Sequence, residues 1–219
     1  EAAESDAELI AKLFEGVDFV FILAGLGGGT GSGAAPIVAR IAAEQGALVM
    51  GFVTMPFSRE GPRRIQQADT ALAELRRICN AVISLPNDLL LQQIDENATV
   101  MEAFGIADNW INHGVRSIWS MIFQTGLINV DFASLKRALD TPGGKTLFGT
   151  GYGHGEDFVS KALRDLELCP LLHLPENRYL KRTDSLIVNI TGGPDLTMSK
   201  VNEVTEYVAE KFSCKDSMV

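Results

Sequence analysis

The sequence predicts an α/β fold built on a parallel sheet, followed by a long central helix and a partial second α/β domain. Three observations support this prediction. Short apolar runs alternate with helical segments in the first part of the chain, a glycine-rich turn joins the first run to a helix, and a long helical stripe of apolar residues follows. Strands that alternate with helices form right-handed crossovers, and such crossovers give a parallel sheet.

The first part of the chain contains three predicted strands and two predicted helices. The apolar run at 17–24 predicts a buried strand, and the runs at 47–53 and 80–85 predict two more. Helices are expected from about 34 to 45 and from 60 to 78. This alternation accounts for the parallel sheet.

The long central helix has a clear start signal. Thr99 and Glu102 have the spacing of a capping box, in which each side chain pairs with the backbone of the other residue. Apolar residues then recur every three or four positions, as on one face of a helix. We expect this helix to end near Thr125.

The last part of the chain shows a second, shorter alternation of helices and strands. The expected elements are helix 132–139, strand 146–150, helix 156–167, strand 186–191 and helix 198–212. Two strands are too few for an independent sheet, so we expect a chain cut at its C-terminus. The predicted domains are 1–98 (a first α/β domain), 99–125 (the central helix) and 126–219 (a partial second domain).

Composition excludes several classes of protein. Hydrophobic residues make up 46% and charged residues 21%, which indicates a folded chain with a core. The formal net charge of −9 excludes a general basic field for nucleic acid or an anionic membrane surface. Three separate cysteines and three scattered histidines lack the spacing of a metal site, so no metal site is expected. These features favour a cytoplasmic protein that meets a membrane only indirectly.

A glycine-rich loop at 25–33 contains the strongest functional motif. Glycine permits positive φ and removes Cβ, so several backbone N–H groups can point into one concavity. The helix that follows adds the partial positive charge of its N-terminus, and Thr30 and Ser32 offer hydroxyl donors. The loop therefore predicts a phosphate-binding site; the alternative is a glycine-rich surface turn.

Two common phosphate-binding folds fit the sequence poorly. The run 29–34 satisfies the short GxGxxA pattern of dinucleotide-binding proteins, but the second predicted strand ends in Thr54-Met55 and lacks the ribose-binding acid. A nicotinamide-dependent oxidoreductase is therefore the less favoured alternative. The run Gly143-Gly144-Lys145-Thr146 resembles a P-loop, but Leu139 stands where that motif requires glycine. We interpret it as a turn.

Several motifs of the chain resemble the tubulin/FtsZ superfamily, and within it the FtsZ type, in family order. The matching segments are GGGTGSG at 27–33, TMPFSREG at 54–61, LPND at 85–88, AFGIADN at 103–109, GLINVDFA at 126–133 and VNITGG at 188–193. They extend across nearly the whole chain. The resemblance implies a GTPase domain of tubulin/FtsZ type that binds GTP or GDP, with Mg²⁺ held through the phosphates.

The resemblance also implies which residues hold the nucleotide. Those expected at the phosphates are Gly27, Gly28, Gly29, Thr30, Gly31, Ser32 and Gly33. Those expected at ribose and phosphate are Thr54, Glu60 and Arg64, and those expected at the base are Asn87, Phe104 and Asp108. Because Phe104 and Asp108 are four residues apart, they share one helix face, where a ring can stack on a purine and a carboxylate can accept from guanine N–H groups. The alternatives are core packing for Phe104 and a solvated helix face for Asp108.

The resemblance implies catalysis between subunits, with Asn129 and Asp131 acting on the nucleotide of the neighbouring subunit. The family pattern N-x-D-x-x-[DE] reads NVDFAS here, so Ser134 replaces the second acid. A hydroxyl is no general base near neutral pH, and losing such a group costs about 10²–10⁴-fold in rate. The alternative is that Ser134 only serves the start of a helix. In the family, the first βα units carry another phosphate loop and precede the position of Glu1. Without that loop, we expect this chain alone to bind nucleotide weakly or not at all and to have little or no activity.

The expected function is that of an FtsZ-type cytoskeletal protein in cell division. Head-to-tail contacts between unlike surfaces do not close and therefore yield a filament. The expected partners are further copies of the chain and other cell-division proteins. The main alternative is an FtsZ-like structural protein that co-assembles with little or no GTPase activity.

Overall fold

The computed structural model describes residues 2–90, 99–124, 126, 131–139, 146–173, 183–214 and 217–218. The chain divides into two compact units. The first comprises Glu1–Val115 with Asp140–Thr146, and the second comprises Arg116–Leu139 with Leu147–Val219. The three domain ranges drawn from the sequence remain a prediction.

The helices and strands follow the expected alternation. Those that lie in or begin in the first unit are α1 (Ala2–Ser5), α2 (Ala7–Leu13), β1 (Phe19–Gly25), α3 (Gly29–Glu44), β2 (Leu48–Met55), a 3-10 turn (Ser58–Glu60), α4 (Pro62–Ile78), β3 (Ala81–Pro86), α5 (Asn87–Leu90) and α6 (Val100–Phe123). Those of the second unit are α7 (Phe132–Ala138), α8 (Phe158–Glu167), a 3-10 turn (Pro170–His173), β4 (Leu186–Ile187), α9 (Met198–Lys211) and β5 (Ser217–Met218).

The sheet of the first unit is parallel, with strand order β1-β2-β3. Gly25 pairs with Thr54, and Met55 pairs with Pro86, so the three carboxyl ends meet at one edge. The predicted α/β class with a parallel sheet is confirmed. In sheets of this kind, ligands bind outside the carboxyl ends of the strands.

Helices α3 and α4 cover one face of this sheet. Val20, Val49 and Val82, one from each strand, belong to the same buried cluster as Ala39 and Ala68 from the two helices. Both alanines are fully buried, and their small side chains allow the helix backbones to approach the strands closely. This packing fixes the N-terminal ends of α3 and α4 at the carboxyl edge of the sheet.

Helix α6 contacts β2 through a glycine. A Cβ at Gly114 would lie 2.4 Å from Cε1 of Phe52, so any larger residue there would displace the Phe52 ring. The predicted capping box at the start of α6 is confirmed, because Thr99 N–H donates to Glu102 Oε2 at 2.6 Å and Glu102 N–H donates to Thr99 Oγ1 at 3.2 Å. The bonds that Thr99 donates to the Glu102 carboxylate, from its N–H and then its hydroxyl, lower the pKa of Glu102.

Helices α8 and α9 form the core of the second unit. Val159, Leu163 and Val208 are buried together. Tyr207 and Lys211 of α9 both donate to Oε1 of Glu167 on α8, and the lysine bond measures 2.5 Å. This pairing lowers the pKa of Glu167, with the Lys211 hydrogen bond as the largest cause.

Some predicted boundaries are wrong. Residues 146–150 form no strand, and the strand predicted at 186–191 spans only Leu186–Ile187, which pairs with β5 over two residues. Helix α3 begins at Gly29, five residues before the predicted start near Ala34, because the second half of the glycine loop is its first turn. In the described part of the chain, no helix has the length and apolarity that a membrane span requires.

Candidate functional site

The candidate site is built from the segments that follow the three strands of the first unit. The glycine loop follows β1, residues 54–60 end and follow β2, and Asn87 with Asp88 follows β3. Because the carboxyl ends are in register, these segments lie at the same edge of the sheet.

Two glycines of the loop are required by close approaches of the backbone. Gly27 has φ +98°, and a Cβ there would lie 3.2 Å from both Arg64 O and Pro56 Cγ. A Cβ at Gly31 would lie 2.0 Å from the carbonyl oxygen of Gly25, a distance that no side chain tolerates. The loop therefore sits tightly against the end of β1 and the start of α4.

Other positions of the loop border open space. A Cβ at Gly28, Gly29 or Gly33 would meet nothing within 4 Å, and Thr30 is exposed. The first i−4 bond of helix α3 runs from Ser32 N–H to Gly28 O, so the N–H groups of the three preceding residues have no acceptor within the helix. With the positive end of the helix dipole, they form a surface suited to an anion.

Ser32 has a role that the sequence did not indicate. It is buried, and its Oγ accepts a hydrogen bond from Gly27 N–H at 2.8 Å. This oxygen thus holds the loop in shape. The N–H of Leu26 is also used internally, because it donates to Thr54 O at 2.9 Å. The backbone donors that remain for a ligand are concentrated at the start of α3.

Of the residues expected near ribose and phosphate, Glu60 and Arg64 pair with each other, and Thr54 lies beside the end of β1. Thr54, the penultimate residue of β2, pairs with Gly25, whose added Cβ would lie 3.4 Å from Thr54 Oγ1. Glu60 Oε1 accepts from Phe57 N–H at 2.9 Å, and Glu60 Oε2 pairs with the exposed guanidinium of Arg64. This ion pair stabilises the turn between β2 and α4.

Of the three residues expected at the base, Phe104 is half of an aromatic pair, Asp108 lies on the same helix, and Asn87 follows β3. Phe104, 43% exposed, packs edge-to-face against Phe57 with ring centroids 5.6 Å apart. Asp108 is exposed one helical turn further along α6. Asn87 is buried, and no described residue donates to its Oδ1. An aromatic surface and an unpaired buried acceptor therefore occur in the same unit.

Sequence reasoning missed three residues of this site. Phe57 contacts Phe104, and Ser58 is bonded to Asp88 through its N–H, at 3.0 and 3.2 Å to the two carboxylate oxygens. The position of Asp88 directly after β3 was a usable signal, because carboxyl ends of parallel strands meet at one edge.

The predicted catalytic pair lies in the second unit. Asn129 falls outside the described residues. Asp131 is the N-cap of α7 and accepts from Ser134 N–H at 2.8 Å, while Ser134 Oγ accepts from Arg137 at 2.8 Å. Hydrogen bonds from the side chain and backbone of Ser134 lower the pKa of Asp131, so its carboxylate is ionised at neutral pH. Ser134 is the third residue of α7, and Asp131, not Ser134, is its N-cap; the role of Ser134 in turnover stays a prediction.

The described part of the chain contains no cluster of three or more histidine, cysteine or acidic side chains that could hold a metal ion. The glycine loop itself has no carboxylate. A magnesium ion beside it would therefore take its oxygen ligands mainly from phosphates and water.

Two family models match the sequence. The Tubulin/FtsZ family GTPase domain matches residues 1–95, and the FtsZ family C-terminal domain matches residues 144–219. The cell division protein FtsZ of Caulobacter vibrioides is 41% identical over 218 residues, which is the whole of this chain and 42% of the relative. The cell division protein FtsZ of Rickettsia typhi is 39% identical over the same 218 residues, which are 47% of that relative's length.

Solved structures agree with the sequence comparisons. An FtsZ dimer of M. jannaschii, solved empty, superposes with a TM-score of 0.85 at 32% identity, covering 97% of this chain and 62% of the other. CetZ1 from Haloferax volcanii, solved as a GDP-bound monomer, shares the fold with a TM-score of 0.71 at 20% identity, covering 98% of this chain and 64% of the other.

The chain spans less than half the length of the curated relatives named here. The matches nevertheless cover both parts of the chain, from the parallel-sheet unit to the C-terminal unit. The chain belongs to the FtsZ family of cell division proteins, with a tubulin-like GTPase domain.

Proposed function

We propose that this chain binds GTP or GDP at the carboxyl edge of its sheet and assembles head to tail into cytoplasmic filaments for cell division. The observation that carries the proposal is the glycine loop: it is held by tight contacts at Gly27 and Gly31, yet it borders open space at Gly28, Gly29 and Gly33. A rigid loop with free N–H groups beside open space suits a phosphate chain.

The base would lie against Phe104, with Asn87 and Asp108 supplying acceptors for guanine N–H groups. The unpaired buried oxygen of Asn87 supports this assignment, because a buried acceptor without a donor costs about 1–3 kcal/mol. Adenine does not offer the same pair of donors, so the arrangement favours guanine. Thr54, Glu60 and Arg64 would border the ribose and phosphates.

Hydrolysis would take place between subunits. Asp131, with Asn129, would enter the nucleotide site of the next subunit and orient the attacking water. The lowered pKa of Asp131 keeps it ionised and able to accept a hydrogen bond from water, but makes it a weak base. Since Ser134 replaces the second acid, we expect slow turnover.

A structural, co-assembling role is the second candidate. It is favoured by the use of Asp131 as a helix cap bonded to Ser134, because this carboxylate already serves the start of α7. The two candidates share nucleotide binding and assembly, and they differ in hydrolysis.

The test is GTP turnover by the full-length protein over a range of protein concentrations. Activity per subunit should rise with concentration, because the site needs two subunits. Ser134→Asp should raise turnover about tenfold or more, within the range for a general base. Asp157→Asn, an exposed acid at the start of α8, is the control and should leave the rate unchanged.

Turnover per subunit that is independent of concentration would contradict catalysis between subunits. An unchanged rate in Ser134→Asp, with assembly intact, would favour the structural role.

A further inference from the structure

Two carboxylates hold the turn at 57–60 by accepting hydrogen bonds from the adjacent residues Phe57 and Ser58. Glu60, within the turn, accepts from Phe57 N–H at 2.9 Å. Asp88, from the segment after β3, accepts from Ser58 N–H at 3.0 Å and from Ser58 Oγ at 3.3 Å. Hydrogen bonds to ionised acceptors are stronger than neutral ones. The Asp88 bonds therefore tie the segment after β2 to the segment after β3.

This tie holds the backbone next to Phe57. Phe57 precedes Ser58 directly, and its half-buried ring meets Phe104 at an interplanar angle of 71°. Phe57 covers one side of the Phe104 ring, while 43% of Phe104 stays exposed. A planar base that stacks on Phe104 would thus meet Phe57 at its border.

The residue before Asp88 supplies a second, independent observation. Asn87 is 5% exposed, and no described residue donates to its Oδ1. A buried oxygen that no described residue donates to is open to a donor from a ligand or a water molecule. Asp88 therefore connects the turn that carries the aromatic contact with the segment that carries this acceptor.

We propose that Asp88 is a positioning residue for the base. It acts through Ser58, whose bonds hold Phe57 against Phe104. This inference rests on the proposed nucleotide site. In this proposal Asp88 acts through Ser58 and makes no contact of its own with base or phosphate. Its loss should release the 57–60 turn and weaken recognition of the base, and should leave the phosphate contacts of the glycine loop intact.

The experiment compares two ligands by calorimetry on the full-length protein: GTP, which carries the base, and inorganic tripolyphosphate, which does not. Asp88→Ala should weaken GTP binding about tenfold, or about 1.4 kcal/mol. Asp88→Asn and Ser58→Ala, which each keep part of the contact, should have smaller effects. Tripolyphosphate binding should stay unchanged in all three, because the contacts of the glycine loop do not involve Asp88.

Asp69→Asn, an exposed acid on α4, is the control for the loss of a negative charge and should bind both ligands normally. Equal weakening of GTP and tripolyphosphate binding by Asp88→Asn would show a merely structural role, and normal GTP binding by Asp88→Ala would show no role; either result overturns the proposal. If the unmodified protein binds neither ligand, the nucleotide site itself is wrong, and this inference fails with it.

Discussion

Gly31 and Gly33 provide a paired test of the glycine loop, because one position has no room for a side chain and the other has ample room. A Cβ at Gly31 would lie 2.0 Å from Gly25 O, whereas real contacts stay above 3.0 Å, so the start of α3 must move by about 1 Å in Gly31→Ala. A Cβ at Gly33 would meet nothing within 4 Å, and Gly33 has no positive φ.

The two substitutions should therefore change stability in opposite directions. Overpacking of this kind costs about 1–3 kcal/mol, which lowers the midpoint of a chain of this size by about 2–12 °C. Gly33→Ala should gain up to about 1 kcal/mol, because alanine favours a helix over glycine.

Thermal and guanidinium unfolding followed by circular dichroism measure both effects. Gly31→Ala should also lose tripolyphosphate binding, because the moved helix start displaces its N–H groups. Equal stability of the two variants would refute the close approach of α3 to β1.

Three further predictions concern single contacts. Asp131→Ala removes the cap of α7. Because folding lowers the pKa of Asp131, the ionised carboxylate stabilises the folded state fully above the ordinary pKa of 3.8. That stabilisation is lost as the pH falls through the lower pKa of the folded state. The difference in thermal midpoint between wild type and Asp131→Ala should thus shrink below about pH 4, and a constant difference would argue against this cap. Lys211→Met should raise the pKa of Glu167 towards its ordinary value of 4.5, measured by carbon NMR titration, and an unchanged pKa would contradict the ion pair. Phe104→Ala should weaken GTP binding about tenfold or more, since stacking of a base on an aromatic ring contributes about 1–3 kcal/mol; retained affinity would place the base elsewhere.

The sheet of the first unit was predictable because its signals are local. Apolar runs fix β1, β2 and β3, and the structure shifts their ends by only one or two residues. The start of α6 was equally clear from the capping box at Thr99. In the second unit, β4 forms only two residues of pairing with β5, and no local pattern marks such a short contact.

The candidate site was predictable in its motifs but not in its internal contacts. The glycines indicate a phosphate loop, yet glycine is a poor helix former, so the start of α3 at Gly29 was placed too late. The contact of Gly31 with Gly25 overrides that propensity. The bonds of Asp88 to Ser58 join residues thirty positions apart, and such pairing depends on the sheet register rather than on either local sequence.

Calorimetric titration of the full-length protein with GTP, ATP and NADH tests the proposed guanine nucleotide site most directly. The open glycine loop and the acceptors proposed for the base predict that GTP binds at least about tenfold more tightly than ATP, a difference of about 1.4 kcal/mol, with no heat from NADH. Equal affinity for GTP and ATP, or binding of NADH alone, would contradict the account.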